Sequence, residues 1–174
     1  LLYVPMDERG VALEKIRAAL GRISSLIQKT LAGSRIINAF ENTEALRLLV
    51  RVGNVQIKIE LSPVIRGTVF PEQRMKVTDV VEKEYGFVEM QLASFPDLYA
   101  GKLCAALDRQ HPRDLFDVKL LFDNEGLTED LRKTFLVFLI SHQRPMVELL
   151  SPNFKDIKGI YETEFAQMAQ VDVS

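Results

Sequence analysis

Apolar residues recur at three- and four-residue steps through Leu13, Ile16, Leu20, Ile23, Ile27 and Leu31. That rhythm predicts one long amphipathic helix packed on a core, closed by Gly33-Ser34. Ahead of it, Leu1 to Val4 reads as a short strand ended by Pro5, and Arg35 to Phe40 reads as another. The period then becomes two. Ala45 to Val52, the turn Gly53-Asn54 and the stretch Val55 to Leu61 predict an antiparallel hairpin. In its second strand Val55, Ile57, Ile59 and Leu61 alternate with Gln56, Lys58 and Glu60, giving one buried and one polar face. Residues 64 to 85 read as a charged surface excursion with one short strand near Val77 to Val81. Val88 to Leu92 is expected to return to the sheet.

After Ser94 the pattern is helical. Pro96 and Asp97 suit a first turn, and the helix is expected to run to about Arg109. His111-Pro112 breaks it, and Pro112 opens a second helix, Arg113 to Phe122. Thr128 caps a third, with Leu131, Phe135, Phe138 and Leu139 as its apolar set. A short segment from Met146 to Leu150 and a last helix from about Lys155 to Met168 complete the chain. The predicted class is α+β: a mixed sheet with packed helices over residues 1–94, then a helical region over 95–174.

Composition narrows the function classes. With 174 residues, 47% of them hydrophobic and 26% charged, the chain can bury a substantial core. It holds 22 Lys and Arg against 24 Asp and Glu, so no overall basic field draws it to nucleic acid, although a local basic patch is compatible with that balance. The single cysteine, Cys104, excludes an internal disulfide and sits in an apolar helical run as a small hydrophobe. Two distant histidines and one cysteine give no zinc spacing. No apolar stretch is long enough for a membrane span, and a cytoplasmic location is expected.

The chemistry concentrates between Asp97 and Asp117. Lys102 and Arg109 lie seven apart on one helix face, and Asp114 and Asp117 lie three apart on the next. A short break between the helices lets them fold back side by side, bringing an ammonium group near carboxylates. Such a lysine can hold phosphates as a point charge. Arg113 and Asp117, four apart, are placed for an ordinary surface pair.

The run Ser94-Phe95-Pro96-Asp97-Leu98-Tyr99-Ala100-Gly101-Lys102, continuing to Arg109 and then Arg113-Asp114-Leu115-Phe116-Asp117, resembles the AbiEii-type nucleotidyltransferase toxins of the polymerase-beta-like superfamily. The strand Ile57-Lys58-Ile59-Glu60-Leu61 also looks like that family's Lys-Ile-Glu strand. The resemblance implies a nucleotidyltransferase-like mixed sheet. It implies transfer of a nucleoside monophosphate from an NTP, with Mg2+, to an acceptor such as RNA or tRNA. A toxin–antitoxin or phage-defence setting and a cognate antitoxin go with it. By the same resemblance Lys102 and Asp117 are the catalytic pair and Glu60 is a third carboxylate that also binds metal. Lys58, Arg109 and Arg113 join Lys102 on the nucleotide, and Asp97 and Asp114 support the site.

One departure stands out. Such proteins carry an Asp-x-Asp strand end after a Gly-Gly or Gly-Ser turn, and this sequence has no Asp-x-Asp. Glu41 and Glu44, after Gly33-Ser34, are three apart and would face opposite ways on a strand. The resemblance therefore predicts a chain entered just after its metal-binding carboxylates, weak or inactive in transfer. The alternative is a non-catalytic remnant that binds nucleotide or a protein partner.

Overall fold

Ala12, Ile16 and Leu20 fall at four-residue intervals and are the buried stripe of helix α1, Arg9–Thr30. Gly33 adopts φ 76°, a left-handed turn that glycine accepts without strain, and the chain enters strand β2, Arg35–Ala39. Strands β3 (Leu46–Val52) and β4 (Val55–Arg66) form the expected hairpin, with Val52 opposite Val55. Gly53 supplies the positive φ, 55°, at the first turn position. The computed structural model describes residues 2–3, 7–39, 46–166 and 168. Leu1, Val4, Phe40 and Ala45, assigned to strands from the sequence, lie outside these residues, as do Glu41 and Glu44.

The chain divides into two compact units, Leu1–Gly67 and Thr68–Ser174. In the first, strand β1 (Leu2–Tyr3) runs parallel to β4, and β2, β3 and β4 are antiparallel, giving a mixed sheet in the order β1-β4-β3-β2. Ile16 and Leu20 of α1 pack on Leu46, Leu48 and Leu61. Ile16, Leu20 and Leu48 are fully enclosed, and burying such a side chain contributes roughly 1.5–3 kcal/mol. The alternation in β4 is only partly a burial pattern. Leu61 is buried and Ile59 half-buried, whereas Val55 and Ile57 near the turn remain exposed.

The second unit starts with an excursion that differs from the sequence expectation. Residues 77–81 do not form a strand. Strand β5 is Gln73–Lys76, and Val80 and Val81 belong to helix α2, Asp79–Tyr85. Asp79 and Glu82 in its first turn and Lys83 in its last suit a helix dipole, and this outweighs the strand preference of the valines. Strand β6, Glu89–Leu92, does not rejoin the main sheet. It pairs with β5 in a separate two-stranded sheet.

The helical part follows the predicted signals closely. Helix α3 is Phe95–Arg109, α4 is Pro112–Asn124 and α5 is Glu129–Ile140. Thr128 caps α5 by accepting from the Leu131 amide at 3.2 Å. Ala100, Leu121 and Leu131 form one buried cluster. Cys104, Leu139 and Leu149, the last from helix α6 (Met146–Leu150), form another. The final helix is shorter than expected. Asp156 accepts from the Lys158 amide, helix α7 covers only Lys158–Ile160, and Tyr161–Phe165 widens into a π turn. There Phe165 meets Phe116 of α4 at 5.3 Å between ring centroids, a tilted aromatic contact. Among the described residues no helix is long and apolar enough to cross a membrane.

Candidate active site

Helix α3 begins on a closed polar knot. Ser94 accepts from the Asp97 amide through Oγ at 3.2 Å and donates its hydroxyl to Asp97 Oδ2 at 2.6 Å. Asp97 also accepts from the Val69 amide at 2.7 Å and the Phe70 amide at 3.1 Å. It is 3% exposed. A carboxylate so enclosed and so fully bonded holds the incoming segment to the helix start and has little capacity left for a ligand.

Helix α3 ends at Gln110, whose φ of 53° places a non-glycine residue in the left-handed region. His111 then caps α4, its Nδ1 accepting from the Arg113 amide at 3.2 Å. The corner stays in place because the Gln110 side chain donates to the Asn153 carbonyl and accepts from the Lys155 amide, each at 2.9 Å. The result is a tight helical hairpin with two cations of α3 set against two carboxylates of α4. The Lys102 ammonium lies directly on Asp117 Oδ2, both side chains about one-third exposed, at 32% and 30%. Arg109 donates to Asp114 Oδ1 at 2.8 Å. Asp114 is buried, and among the described residues its Oδ2 has no hydrogen-bond partner.

Arg113 does not pair with Asp117. Its Nη2 lies 3.2 Å from Met168 Sδ, while Asp117 is taken by Lys102. A surface pair four residues apart is weak, and Asp117 is instead engaged by a lysine from the neighbouring helix.

In the first unit Lys58 and Glu60 meet at 2.9 Å on the solvent-facing side of β4. The hydrogen bond from Lys58, reinforced by its charge, holds the Glu60 carboxyl below its ordinary range, and Arg47 adds to the effect. Arg47 sits opposite Glu60 in the ladder. The Gly53-Asn54 turn alone specifies that register, so the sequence carried the signal for Arg47 although only Lys58 and Glu60 were singled out. Cys104 is buried, and burial pushes its thiol up to about 11.

A magnesium site would need several oxygen ligands converging. Among the described residues no group of three or more His, Cys, Asp or Glu side chains does so. Glu60 is bound to Lys58 and Asp117 to Lys102. The described side chains do not fit such an ion. Helices α3, α4 and α5 also line a cavity of about 440 Å³ with Leu103, Leu107, Leu115, Val118, Phe122 and Phe135. Lys102 and Asp117 are not part of that lining, so this apolar space is distinct from the charged pair.

Half-buried lysine–carboxylate pairing between adjacent helices can present one ammonium, fixed in direction, to an anion. It suits phosphate better than a neutral ligand. A family model described as "Nucleotidyl transferase AbiEii toxin, Type IV TA system" matches residues 1–172. No curated protein and no solved structure matches the chain.

Proposed function

The chain belongs to the AbiEii nucleotidyl transferase toxin family, and from that membership we propose that its α3–α4 hairpin binds the phosphates of an NTP for transfer of a nucleoside monophosphate. The observation that carries this reading is the contact between Lys102 and Asp117. Asp117 holds the ammonium group in one direction, and Lys102 offers its charge to the donor's phosphates. Arg109 and Arg113 are assigned to the same nucleotide, and Asp114 supports the hairpin through Arg109.

In the transfer, an acceptor hydroxyl oxygen forms a bond to the α-phosphorus. The bond to the bridging oxygen breaks, and pyrophosphate leaves with the electron pair. The hydroxyl proton passes to a base or to water. A nearby cation stabilises the charge that builds on the phosphate oxygens, which is the main contribution a protein makes to such chemistry. We assign the acceptor to RNA, with tRNA as one candidate, and the setting to a toxin–antitoxin or phage-defence system.

A second reading has its own support. The sequence contains no Asp-x-Asp pair, and this favours a chain that binds nucleotide better than it transfers it. One experiment addresses both readings. Calorimetric titration with Mg-NTP should show binding by the chain and a loss of at least tenfold for Lys102→Ala. Transfer to labelled RNA is followed in parallel. Binding without transfer selects the second reading. Equal affinity of both proteins for nucleotide removes Lys102 from the site and overturns both.

A further inference from the structure

The sheet of the first unit has one face under α1; on the other, Arg35, Arg51, Lys58 and Glu60 are exposed and Arg47 is half-buried. The ladder register puts Arg35 of β2, Arg47 and Arg51 of β3, and Lys58 and Glu60 of β4 on this second face. Four cations therefore share this surface with one carboxylate. Arg35 stands directly opposite Arg51, and like charges in directly opposed positions destabilise a sheet. Nothing acidic intervenes. Arg51 is met by the neutral Gln56 amide oxygen at 3.0 Å. Arg35 makes no ion pair among the described residues, and Arg47 Nε is buried without a hydrogen-bond partner. Among the described residues Lys58 forms an ion pair with Glu60, which also stands opposite Arg47 in the ladder. From Lys15 to Ala39 and from Leu46 to Ile59 the sequence has eight lysines and arginines and no acidic residue; Glu41 and Glu44 fall between the two stretches.

We propose that this face binds the phosphodiester backbone of the acceptor nucleic acid, with Arg35 and Arg51 clamping a phosphate between them. The word acceptor rests on the transfer reading above; the binding itself does not. Three of the four cations are arginines, whose planar forks match phosphate oxygens in pairs. Their layout favours a strand over a single nucleotide. Arg47 and Arg51 are four residues apart, about 13 Å along the strand, and β2 to β4 spans about 10 Å across the sheet. That field is wider than one triphosphate. An anion lying across it would relieve the Arg35–Arg51 repulsion, so binding and local stability are coupled.

The test uses the 174-residue chain and a fluorescent RNA hairpin, titrated between about 50 and 200 mM salt. Replacing both Arg35 and Arg51 by Gln should weaken RNA binding about tenfold or more and lower the salt slope by about one, for the one phosphate that is no longer neutralised. Replacing both by Lys should keep the slope and lose only part of the affinity. This second pair controls for folding, which circular dichroism checks in each variant. Mg-ATP binding is measured in all proteins, and the Gln pair should leave it unchanged. RNA affinity and slope that stay at the parent values in the Gln pair overturn the proposal. So does a Gln pair that loses Mg-ATP binding and keeps RNA, which would give these cations to the nucleotide. RNA binding that persists in Lys102→Ala supports a face separate from the nucleotide site. If Lys102→Ala also keeps Mg-ATP, the transfer reading fails while the RNA result stands.

Discussion

The first compact unit carries ten lysines and arginines against six acidic residues, and the second carries twelve against eighteen. The formal charge of −2 for the whole chain is thus the difference between a basic unit and an acidic one. The units also handle charge differently. In the second, cations and carboxylates are matched locally: Lys102 with Asp117, Arg109 with Asp114, and Arg144 with both Asp108 and Glu148. In the first, Lys15 meets Asp7 and Lys58 meets Glu60, but two arginines also confront one another across the ladder. Net charge excluded an overall basic field correctly, yet a chain average says nothing about how charge is divided. Charge matched internally serves the fold, whereas charge left unmatched is available to a ligand.

Deleting a paired charge should lower stability in the second unit, and deleting one of the two opposed arginines should raise it in the first. The largest effect belongs to Asp97→Ala. It strands the Val69 and Phe70 amides and the Ser94 hydroxyl, at a cost of about 3 kcal/mol or more. Urea unfolding measures this, and a loss below about 1 kcal/mol would show that Asp97 is not the anchor described.

Cys104 reports on the same unit. With its thiol pushed up to about 11 by burial, thiolate at pH 8 is about two orders of magnitude scarcer than for an exposed cysteine. Alkylation should be correspondingly slow, and faster in Asp97→Ala. Rapid labelling of the parent protein would contradict the packing of α3.

Smaller effects test the sign directly. Arg144→Ala breaks a half-exposed network and should cost about 0.5 kcal/mol. Arg35→Gln should add a few tenths of a kcal/mol by removing the repulsion with Arg51. Equal losses in both would erase the contrast between the units.

The smallest signal is in Glu60. Its folded carboxyl lies below its ordinary range because of Lys58. Its contribution is therefore present above the unfolded titration and is lost as pH falls through the folded one. In carbon-13 NMR, Lys58→Ala should move the Glu60 midpoint upward. An unmoved midpoint would assign the depression to something other than Lys58.

Most of the fold could be read wherever an element buries a stripe or carries a chemical stop. The spacing of Ile16 and Leu20, the Gly53-Asn54 turn, Pro96-Asp97 in a first turn, and the cap at Thr128 each located an element. Residues 73–92 could not be read this way. Both strands and α2 have no buried residue, so burial imposed no periodicity on their sequence. The site divided along similar lines. Lys102 and Asp117 were legible because helical spacing and a short break constrain where they go. Arg113 was not, because its neighbour Met168 comes from a turn 55 positions away. The opposition of Arg35 and Arg51 required a strand register, which no single stretch of sequence displays.

The Gln110 corner limits how the hairpin can vary. Only Gln110 and His111 separate α3 from α4, and the Gln110 amide is tied to residues 153 and 155. One extra residue within either helix would turn everything beyond it by about 100° and advance it by about 1.5 Å, carrying Lys102 away from Asp117. An insertion or deletion between those two residues would therefore separate the pair, so that stretch tolerates substitution better than a change of length.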